Sequence, residues 1–592
     1  IGVRLVGSEM CIRDSFGGSP KLKKVHVAAL DAMKSLHEEV EGGVGLHLTG
    51  SIRLVMKGDS DRLVEARQHL AMARLYDDAQ HPTQLISADE VRALHPLLDA
   101  SGIECGLYTP ADGDVDPTML TTAVARRARD AGAEFRFGAE VEAVRPRTGG
   151  GFEVLLADGG AEPLEADAVI NCAGLWSRKF SNQLGMCHPA FVIEHQYAIT
   201  ETIPELAGRV GEGERVPVLR DLAGSSYVRQ ERDGLLVGPY EDAAVVRREW
   251  AEGPPSHFAF DLFPPALERI EGCLMHAMEL IPALGTVGLR SVVNGPTIWT
   301  GDSLARCGRT RLPGYYDFNS LTYGVAQSLA LAEYLAHVVV EGEQPYDMAA
   351  EFDPLRYGAW ASDDYAAAKI VETYRHNNRV TYPHENRPAG REHVAHPAGR
   401  GALFEALRAR GAIFSFSNSG VEVPLAFAPQ ACGIGAPNSA FPTFHSHAWA
   451  PYAEREAEMV LSSVGIGYLS FSKLRVASVA SEAANLLLQH CTTNTLPKLR
   501  GRCRLSYATS AAGRLISEFT ITQLGREGEH DFYLVGSREY AQHDLAWLEQ
   551  QARNLAADGV LDEAEVQISD ITDEIEILPV SYTHLTLPTK RI

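Results

Sequence analysis

Ala168-Val169-Ile170-Asn171-Cys172-Ala173-Gly174 is the stretch on which the fold turns. Apolar residues run into a cluster of small ones, which reads as a buried strand ending in an elbow. Small residues at the carboxyl end of a strand let a backbone approach a ligand closely. Just upstream lie strand-like runs at Glu134–Phe137 and Val141–Val144. A hairpin follows on Phe152–Leu156, Asp158-Gly159-Gly160 and Leu164, with the Asp-Gly pair supplying the positive-φ turn. Before these, Thr118 opens a helix with Leu120, Ala123, Val124 and Ala128 on one face and Arg126, Arg129 and Asp130 away from it. Helix, strand, hairpin, strand fits the later half of a nucleotide-binding α/β domain.

Further out, residues 21–40 have helical spacing, and strands are expected at Gly45–Leu48 and Ser51–Met56. Ser87 and Glu90 form a capping box before a short helix. Residues 189–300 are strand-rich, with turns expected at Asp233-Gly234 and Asn294-Gly295-Pro296, and predict a large antiparallel or mixed sheet. A long helix is expected around Val325–Val340. The polar, Pro-punctuated residues 345–400 read as a connector wrapped on the surface. A second compact domain begins near Gly401, with helices at 453–464 and 477–490 and strands at 502–509, 514–524 and 531–537. The two ends, IGVRLVGSEMCIRDS and PVSYTHLTLPTKRI, resemble translated sequencing-adaptor sequence on a partial gene, or else ordinary disordered termini; residues 1–15 and 579–592 are set aside.

The 592 residues predict two to four domains. With 45% hydrophobic and 22% charged residues, whole-chain disorder is excluded. Lys+Arg 54 against Asp+Glu 77 gives a net charge of -23, which disfavours nucleic acid as a partner. No run is long and apolar enough to cross a membrane. The nine Cys have no Cys-x-x-Cys pair, so reduced, buried thiols are expected and no metal site.

A Gly-x-Gly-x-x-Gly fingerprint is absent, and the Gly42-Gly43-Gly45 cluster follows a helix and leads into a strand, the wrong order for one. His195 and Tyr197 alternate along the strand Phe191–Thr200 and share a face. An imidazole and a phenol so placed could orient an amine or carboxylate. On spacing alone, a satisfied His and a packing Tyr is the commoner explanation. Arg220-Asp221 and Tyr227–Arg229 are the next candidates, against ordinary ion pairing. His376, His384, His393 and His396 read as solvated loop histidines.

Several phrases together resemble the dimethylglycine and sarcosine dehydrogenase family. They include Leu22-Lys23-Lys24-Val25-His26, Asp112-Gly113-Asp114-Val115-Asp116-Pro117, Asn171-Cys172-Ala173-Gly174-Leu175-Trp176, and Glu194-His195-Gln196-Tyr197. The run Arg229-Gln230-Glu231-Arg232-Asp233-Gly234 through Glu241, and Tyr382-Pro383-His384-Glu385-Asn386-Arg387-Pro388, continue the series in one order over residues 16–578. The resemblance implies an FAD-dependent amine oxidoreductase domain over 16–345, a family-specific connector over 346–400, and a partial T-protein-like folate-binding domain over 401–578. The fold class is thus α/β plus α+β. The implied reaction is oxidative demethylation of a small N-methyl amino acid, the one-carbon unit leaving as formaldehyde or passing to tetrahydrofolate.

Carried over by motif, Val141, Cys172, Ala173, Gly174 and Trp176 line FAD, and Leu321, Thr322, Tyr323, Gly324, Val325 and Ala326 run beside the flavin's pyrimidine end. His195, Tyr197 and Tyr227 face the substrate, and Glu518, Phe519 and Thr520 match the folate-contacting stretch. An electron-transfer flavoprotein is an implied partner, and a bacterial cytoplasm or mitochondrial matrix the implied compartment. There are departures. The family's dinucleotide fingerprint and flavin-attaching His precede the match at Phe16, so this chain alone is expected to hold FAD weakly. Leu329 and Ala330 replace two family glycines and are expected to crowd the flavin. Asp302-Ser303-Leu304-Ala305 replaces Asp-x-Leu-Pro, Ser226-Tyr227 replaces a Tyr-Tyr pair, and Tyr468-Leu469-Ser470 lacks the family's Asp. These changes leave an alternative: a non-catalytic relative acting as a protein-binding regulator, like the regulatory subunit of pyruvate dehydrogenase phosphatase.

Overall fold

A computed structural model of the chain describes residues 12–13, 20–75, 82–157, 162–209, 214–258, 261–342, 349–380 without 359, 403–416, 422–427, 449–467 and 471–578 without 527, with a few isolated positions. The Asp158-Gly159-Gly160 turn, His384, His393, His396, Tyr468–Ser470 and most of both end segments lie outside these residues. The chain divides into two compact units: residues 1–307, 318–345 and 366–384 form one, and 308–317, 346–365 and 385–592 the other. The polar connector is therefore shared between the two units.

The first unit is built on an eight-stranded mixed sheet. Its strands are β1 (Ser51–Met56), β2 (Gln84–Ser87), β3 (Ile103–Thr109), β8 (Ala190–Thr200), β9 (Val218–Asp221), β10 (Ser226–Glu231), β11 (Gly234–Pro239) and β12 (Leu289–Thr300). Their order is β12-β8-β11-β10-β9-β1-β3-β2. Only the β9–β1 pairing is parallel, with Val218 opposite Ser51. The sheet thus recruits three early strands beyond the 189–300 region. The hairpin at Asp233-Gly234 forms as expected, with Glu231 opposite Gly234. Asn294-Gly295-Pro296 is not a turn but lies within β12, opposite Gln196, His195 and Glu194. β12 is an edge strand, where the missing N–H of Pro296 costs no ladder bond.

Helix α1 (Pro20–Glu39) buries Val25, Ala29, Met33 and Leu36, the face its spacing predicts. α2 (Ser60–Leu75) follows β1, and α3 (Ala88–Leu94) starts with the complete Ser87–Glu90 capping box. α4 (Pro117–Asp130) starts one residue before Thr118, with Asp116 as its cap. It buries Leu120 and Ala123, but Val124 is exposed. β4 (Val141–Pro146), β5 (Phe152–Leu156) and β6 (Leu164–Ala166) form a separate three-stranded sheet. Two expectations fail here. Gly45–Leu48 forms only an isolated bridge at His47. Glu134–Phe137 is not a strand: Phe137 is 81% exposed, and the Arg129 guanidinium lies over the Phe135 ring at 4.4 Å.

β7 (Val169–Asn171) leads into α5 (Ser177–Gln183), α6 spans Glu271–Leu280, and α7 (Gly324–Val340) packs on α1. β7 is less buried than its sequence suggests, with Ile170 44% exposed. α8 (Asp363–Arg375) overturns the reading of 345–400 as a surface wrap. Its Ala366, Ala367, Ile370 and Tyr374 are fully interior, packed with Phe191, Ile193, Tyr197 and Trp299. His376 beside it is buried, not solvated. Of the described cysteines, Cys172 and Cys503 are exposed, contrary to expectation, and all seven are free thiols. No described helix is long and apolar enough to cross a membrane.

The second unit contains α9 (Ala450–Ser462) and α10 (Ala483–Cys491), and a five-stranded antiparallel sheet of β13 (Phe471–Ser478), β14 (Cys503–Thr509), β15 (Leu515–Gln523), β16 (His530–Ser537) and β17 (Val566–Asp570). The sequence reading missed β13, whose last residues it assigned to a helix. α10 and α11 (Ala541–Ala557) share one apolar core with the sheet. Phe519 enters that core at 0% exposure, while Glu518 lies exposed on the opposite face. Phe519→Ala is expected to cost about 3–5 kcal/mol in urea unfolding of the second unit, and Glu518→Ala less than about 0.5 kcal/mol.

His95, at the end of α3, has both ring nitrogens buried without a hydrogen-bond partner among the described residues. Burial pushes its pKa down from 6.5 to about 4. The folded value lies below the unfolded one, so the unfolded chain takes up a proton that the fold refuses. Its contribution is intact above pH 6.5 and is lost as pH falls toward 4. This amounts to about 3 kcal/mol. His95→Leu should flatten the fall in urea stability between pH 7 and pH 4 by about that amount; an unchanged slope would place the titration elsewhere.

Candidate functional site

β8 is interior on both faces, and its alternation divides two chemistries. Glu194 and Gln196 point to an ionic lattice. Arg247 and Arg269 both bind Glu194, the latter at 2.6 Å, and Asn294 donates to the same carboxylate at 2.9 Å. Arg269 also binds Glu241 at 2.5 Å, and Gln196 donates to Glu241 at 3.3 Å. Burial opposes the Glu194 charge, but Asn294, Arg269 and Arg247 outweigh it and hold the carboxyl below its ordinary range.

The opposite face carries His195. Its Nδ1 lies 2.8 Å from Tyr374 Oη and its Nε2 3.3 Å from Tyr227 Oη. Burial pushes the imidazole down to about 4, with a smaller push from Arg269, so it is neutral at pH 7. The Tyr240 ring lies 5.9 Å away. Tyr374 in turn meets Trp299 edge-on at 5.3 Å, and Trp299 meets Tyr323 at 6.4 Å. Tyr240 Oη and Trp299 Nε1 are buried without hydrogen-bond partners among the described residues. The Arg220 guanidinium lies 5.5 Å from the centre of the Tyr227 ring.

The structure thus joins His195 with Tyr227, both named from sequence, and adds Tyr240, Tyr374 and Trp299. Tyr197 shares the His195 face two residues along, packed in the apolar cluster with Ile193 and Ile199. Trp299 stands in β12 and Tyr240 directly follows β11, in the region read as strand-rich, but nothing in their spacing marks them as neighbours of His195. Tyr374 belonged to a segment read as solvated. Its signal was available: Ala366, Ala367, Ile370 and Tyr374 are one helical face.

The elbow Cys172-Ala173-Gly174 is open. Gly174 takes φ +54, and a Cβ added there would meet nothing within 4 Å. Trp176 donates its indole N–H to Pro254 O at 2.9 Å. Val141 opens β4, where Gln183 of α5 donates to Glu142 O at 3.1 Å. In the loop before α7, Thr322 is buried and its hydroxyl has no partner among the described residues. The first turn of α7 has no side-chain cap and no acidic residue, leaving its positive end open to an electron-rich group. Val325 packs instead into the core between α1 and α4, with Met33, Leu36 and Leu120, and Ala326 is buried too. Leu329 joins that same core, and Ala330 is buried in α7. Leu329, which was expected with Ala330 to crowd the flavin, thus packs partly buried against the core of α1 and α4.

In the second unit, Glu518 and Thr520 occupy the open face of β15, with Tyr507 opposite Glu518 and Leu505 opposite Thr520. Phe519 belongs to the core, so its side chain does not reach a ligand on that face. Among the described residues no cluster could hold a metal ion.

The family model described as FAD dependent oxidoreductase matches residues 9–338, a separate model described as FAD dependent oxidoreductase central domain matches 341–393, and the GCVT N-terminal domain matches 403–581. Mitochondrial dimethylglycine dehydrogenase of Mus musculus is 34% identical over 95% of this chain and 61% of its own length. Mitochondrial sarcosine dehydrogenase of Mus musculus is 29% identical over 66% of this chain and 41% of its own. The chain therefore spans about three fifths, or less, of these curated relatives. L-proline dehydrogenase from P. horikoshii shares the fold with TM-score 0.50 and 22% identity, over 59% of this chain and 88% of that one. With more than half its length matched by one family model, the chain belongs to the FAD dependent oxidoreductases and carries a GCVT N-terminal domain after the oxidoreductase part.

Proposed function

We propose that the chain carries the catalytic core of an FAD-dependent oxidoreductase acting on a small N-methylated amino acid of the dimethylglycine or sarcosine type. The observation that carries this reading is a neutral, interior His195 walled by Tyr227, Tyr240 and Tyr374. FAD fits the residues nearby. The open elbow at Cys172–Gly174 accepts close approach, Thr322 Oγ1 is an interior hydroxyl awaiting a partner, and the uncapped start of α7 suits the electron-rich edge of a flavin. Bound there, FAD supplies the acceptor for the hydride that leaves the N-methyl carbon.

The chain's own residues supply binding and orientation. Aromatic faces attract an ammonium group, and an imidazolium beside it would repel it. The depressed pKa of His195 removes that repulsion. It also makes His195 a weak base, so its role is to position the Tyr374 and Tyr227 hydroxyls that its two ring nitrogens meet, not to store the substrate's proton. Tyr240 Oη and Trp299 Nε1 provide two interior donors suited to the substrate carboxylate. In the second unit, Glu518 and Thr520 offer a polar surface for tetrahydrofolate, which would accept the one-carbon unit otherwise released as formaldehyde. An electron-transfer flavoprotein is the proposed electron acceptor.

Protein carrying bound flavin should bleach when dimethylglycine or sarcosine is added without oxygen. His195→Ala should slow that bleaching by about 100-fold or more while flavin content stays near that of the unsubstituted chain. Equal loss of flavin and rate would make His195 structural, and an unbleached flavin would overturn the substrate class.

A further inference from the structure

Between the elbow and the loop before α7 runs a closed circuit of interior polar groups. Asn171 accepts the Ala173 N–H at 3.2 Å through its side chain and donates to Ser177 O at 2.9 Å. Its main-chain carbonyl accepts from Asn319 Nδ2 at 3.1 Å. Ser320 donates to Asn319 Oδ1 at 3.2 Å. His188 Nε2 lies 3.3 Å from Ser320 Oγ, and His188 Nδ1 lies 2.8 Å from Ser181 Oγ. Ser181 stands on α5 one turn after Ser177, whose carbonyl it also approaches at 3.4 Å, and the circuit closes there. Asn171, Ser177, Ser181, His188, Asn319 and Ser320 are all buried.

With the Ser320 proton given to Asn319, His188 Nε2 is the donor to Ser320 Oγ. A neutral imidazole then has Nδ1 as acceptor, which takes the Ser181 proton over the shorter of that hydroxyl's two contacts.

A second observation points to the same place. Ser320 has φ +54, a backbone region that residues with a Cβ avoid unless their surroundings hold them there. The next residues, Leu321–Gly324, are those proposed to run beside the flavin. We propose that His188 is a positioning residue that clasps the two flavin-flanking loops together, holding Ser320 in its left-handed conformation and so setting the shape of the flavin slot before the flavin arrives. The flavin half of this inference rests on the function proposed above; the clasp does not.

The test uses the full chain and two readouts: hydrogen–deuterium exchange of the 319–325 amides without flavin, and FAD affinity by fluorescence titration. His188→Leu removes both hydrogen bonds and should speed exchange there and weaken FAD by about tenfold each, the worth of roughly one hydrogen bond. His188→Gln, which keeps a donor and an acceptor, should recover most of both. Ser181→Ala breaks the circuit from the other side and should act in the same direction if His188→Leu fails to fold. Exchange unchanged within about twofold in His188→Leu and Ser181→Ala would overturn the clasp. Faster exchange with no FAD uptake even by the unsubstituted chain would support the clasp and overturn the flavin reading. Faster exchange with unchanged FAD affinity would overturn the claim that the clasp shapes the slot.

Discussion

An imidazole taken out of water has to be neutral and has to find partners for its ring nitrogens. His195 meets both conditions, and much of the first unit follows from how. One partner, Tyr227, comes from β10, two strands away across β11. The other, Tyr374, comes from a helix 179 residues later in the chain. The second partner can only arrive if α8 covers the odd face of β8. The interior face of that helix, with Ala366, Ala367 and Ile370, provides the burial that holds it there. The even face of β8 is equally constrained. Glu194 and Gln196 would be costly inside without Arg269, Arg247 and Asn294, and Arg269 also brings positive charge close enough to press His195 further toward neutrality.

The legibility of this arrangement in the sequence follows the range of the interactions. Local signals were readable: the capping box at Ser87–Glu90, the 3.6-residue period of Val25, Ala29, Met33 and Leu36, and the hairpin at Asp233-Gly234. His195 and Tyr227 were candidates by residue type and received substrate-facing roles from the family resemblance, but their contact in space could not be read from either strand alone. Asn294-Gly295-Pro296 has the composition of a turn, yet the ladder to β8 and the edge position keep it extended. Glu134–Phe137 alternates like a strand but finds no described strand to pair with, and period alone does not supply a neighbour. The helix bearing Tyr374 was hidden by averaging: prolines and histidines on either side made the whole of 345–400 look polar, although thirteen residues within it form an amphipathic helix.

The second unit shows the same division on a smaller scale. β15 alternates, so adjacent members of Glu518-Phe519-Thr520 cannot share a surface. A three-residue phrase carried over as one contact set therefore splits, with Phe519 in the core and its neighbours outside. Lys473 behaves in a similar way. Its position in β13 suggests a surface cation, yet its Nζ is buried and donates to Thr572 O at 2.6 Å and to Ile575 O. Burial lowers its pKa, opposed by Glu576 3.6 Å away. A residue type gives the chemistry available, while the strand's register decides whether solvent or backbone receives it.

Three serines near the first unit's site stand in left-handed conformations: Ser225, Ser303 and Ser320. Polar contacts anchor each of these turns. Ser225 O accepts from Tyr240 N at 2.8 Å, Asp302 beside Ser303 accepts from Thr300 and Leu304, and Ser320 lies in the His188 circuit. Left-handed residues with a Cβ persist only where neighbouring bonds outweigh the strain. The Ser225 turn fixes the spacing between Tyr227 and Tyr240, and the Ser320 turn fixes the approach to α7. Glycine would relax these turns and also loosen them. At Ser225 and Ser320 serine keeps the turn and adds a hydroxyl that ties it to the surrounding frame, which suits loops that must hold aromatic rings and a helix start at set distances.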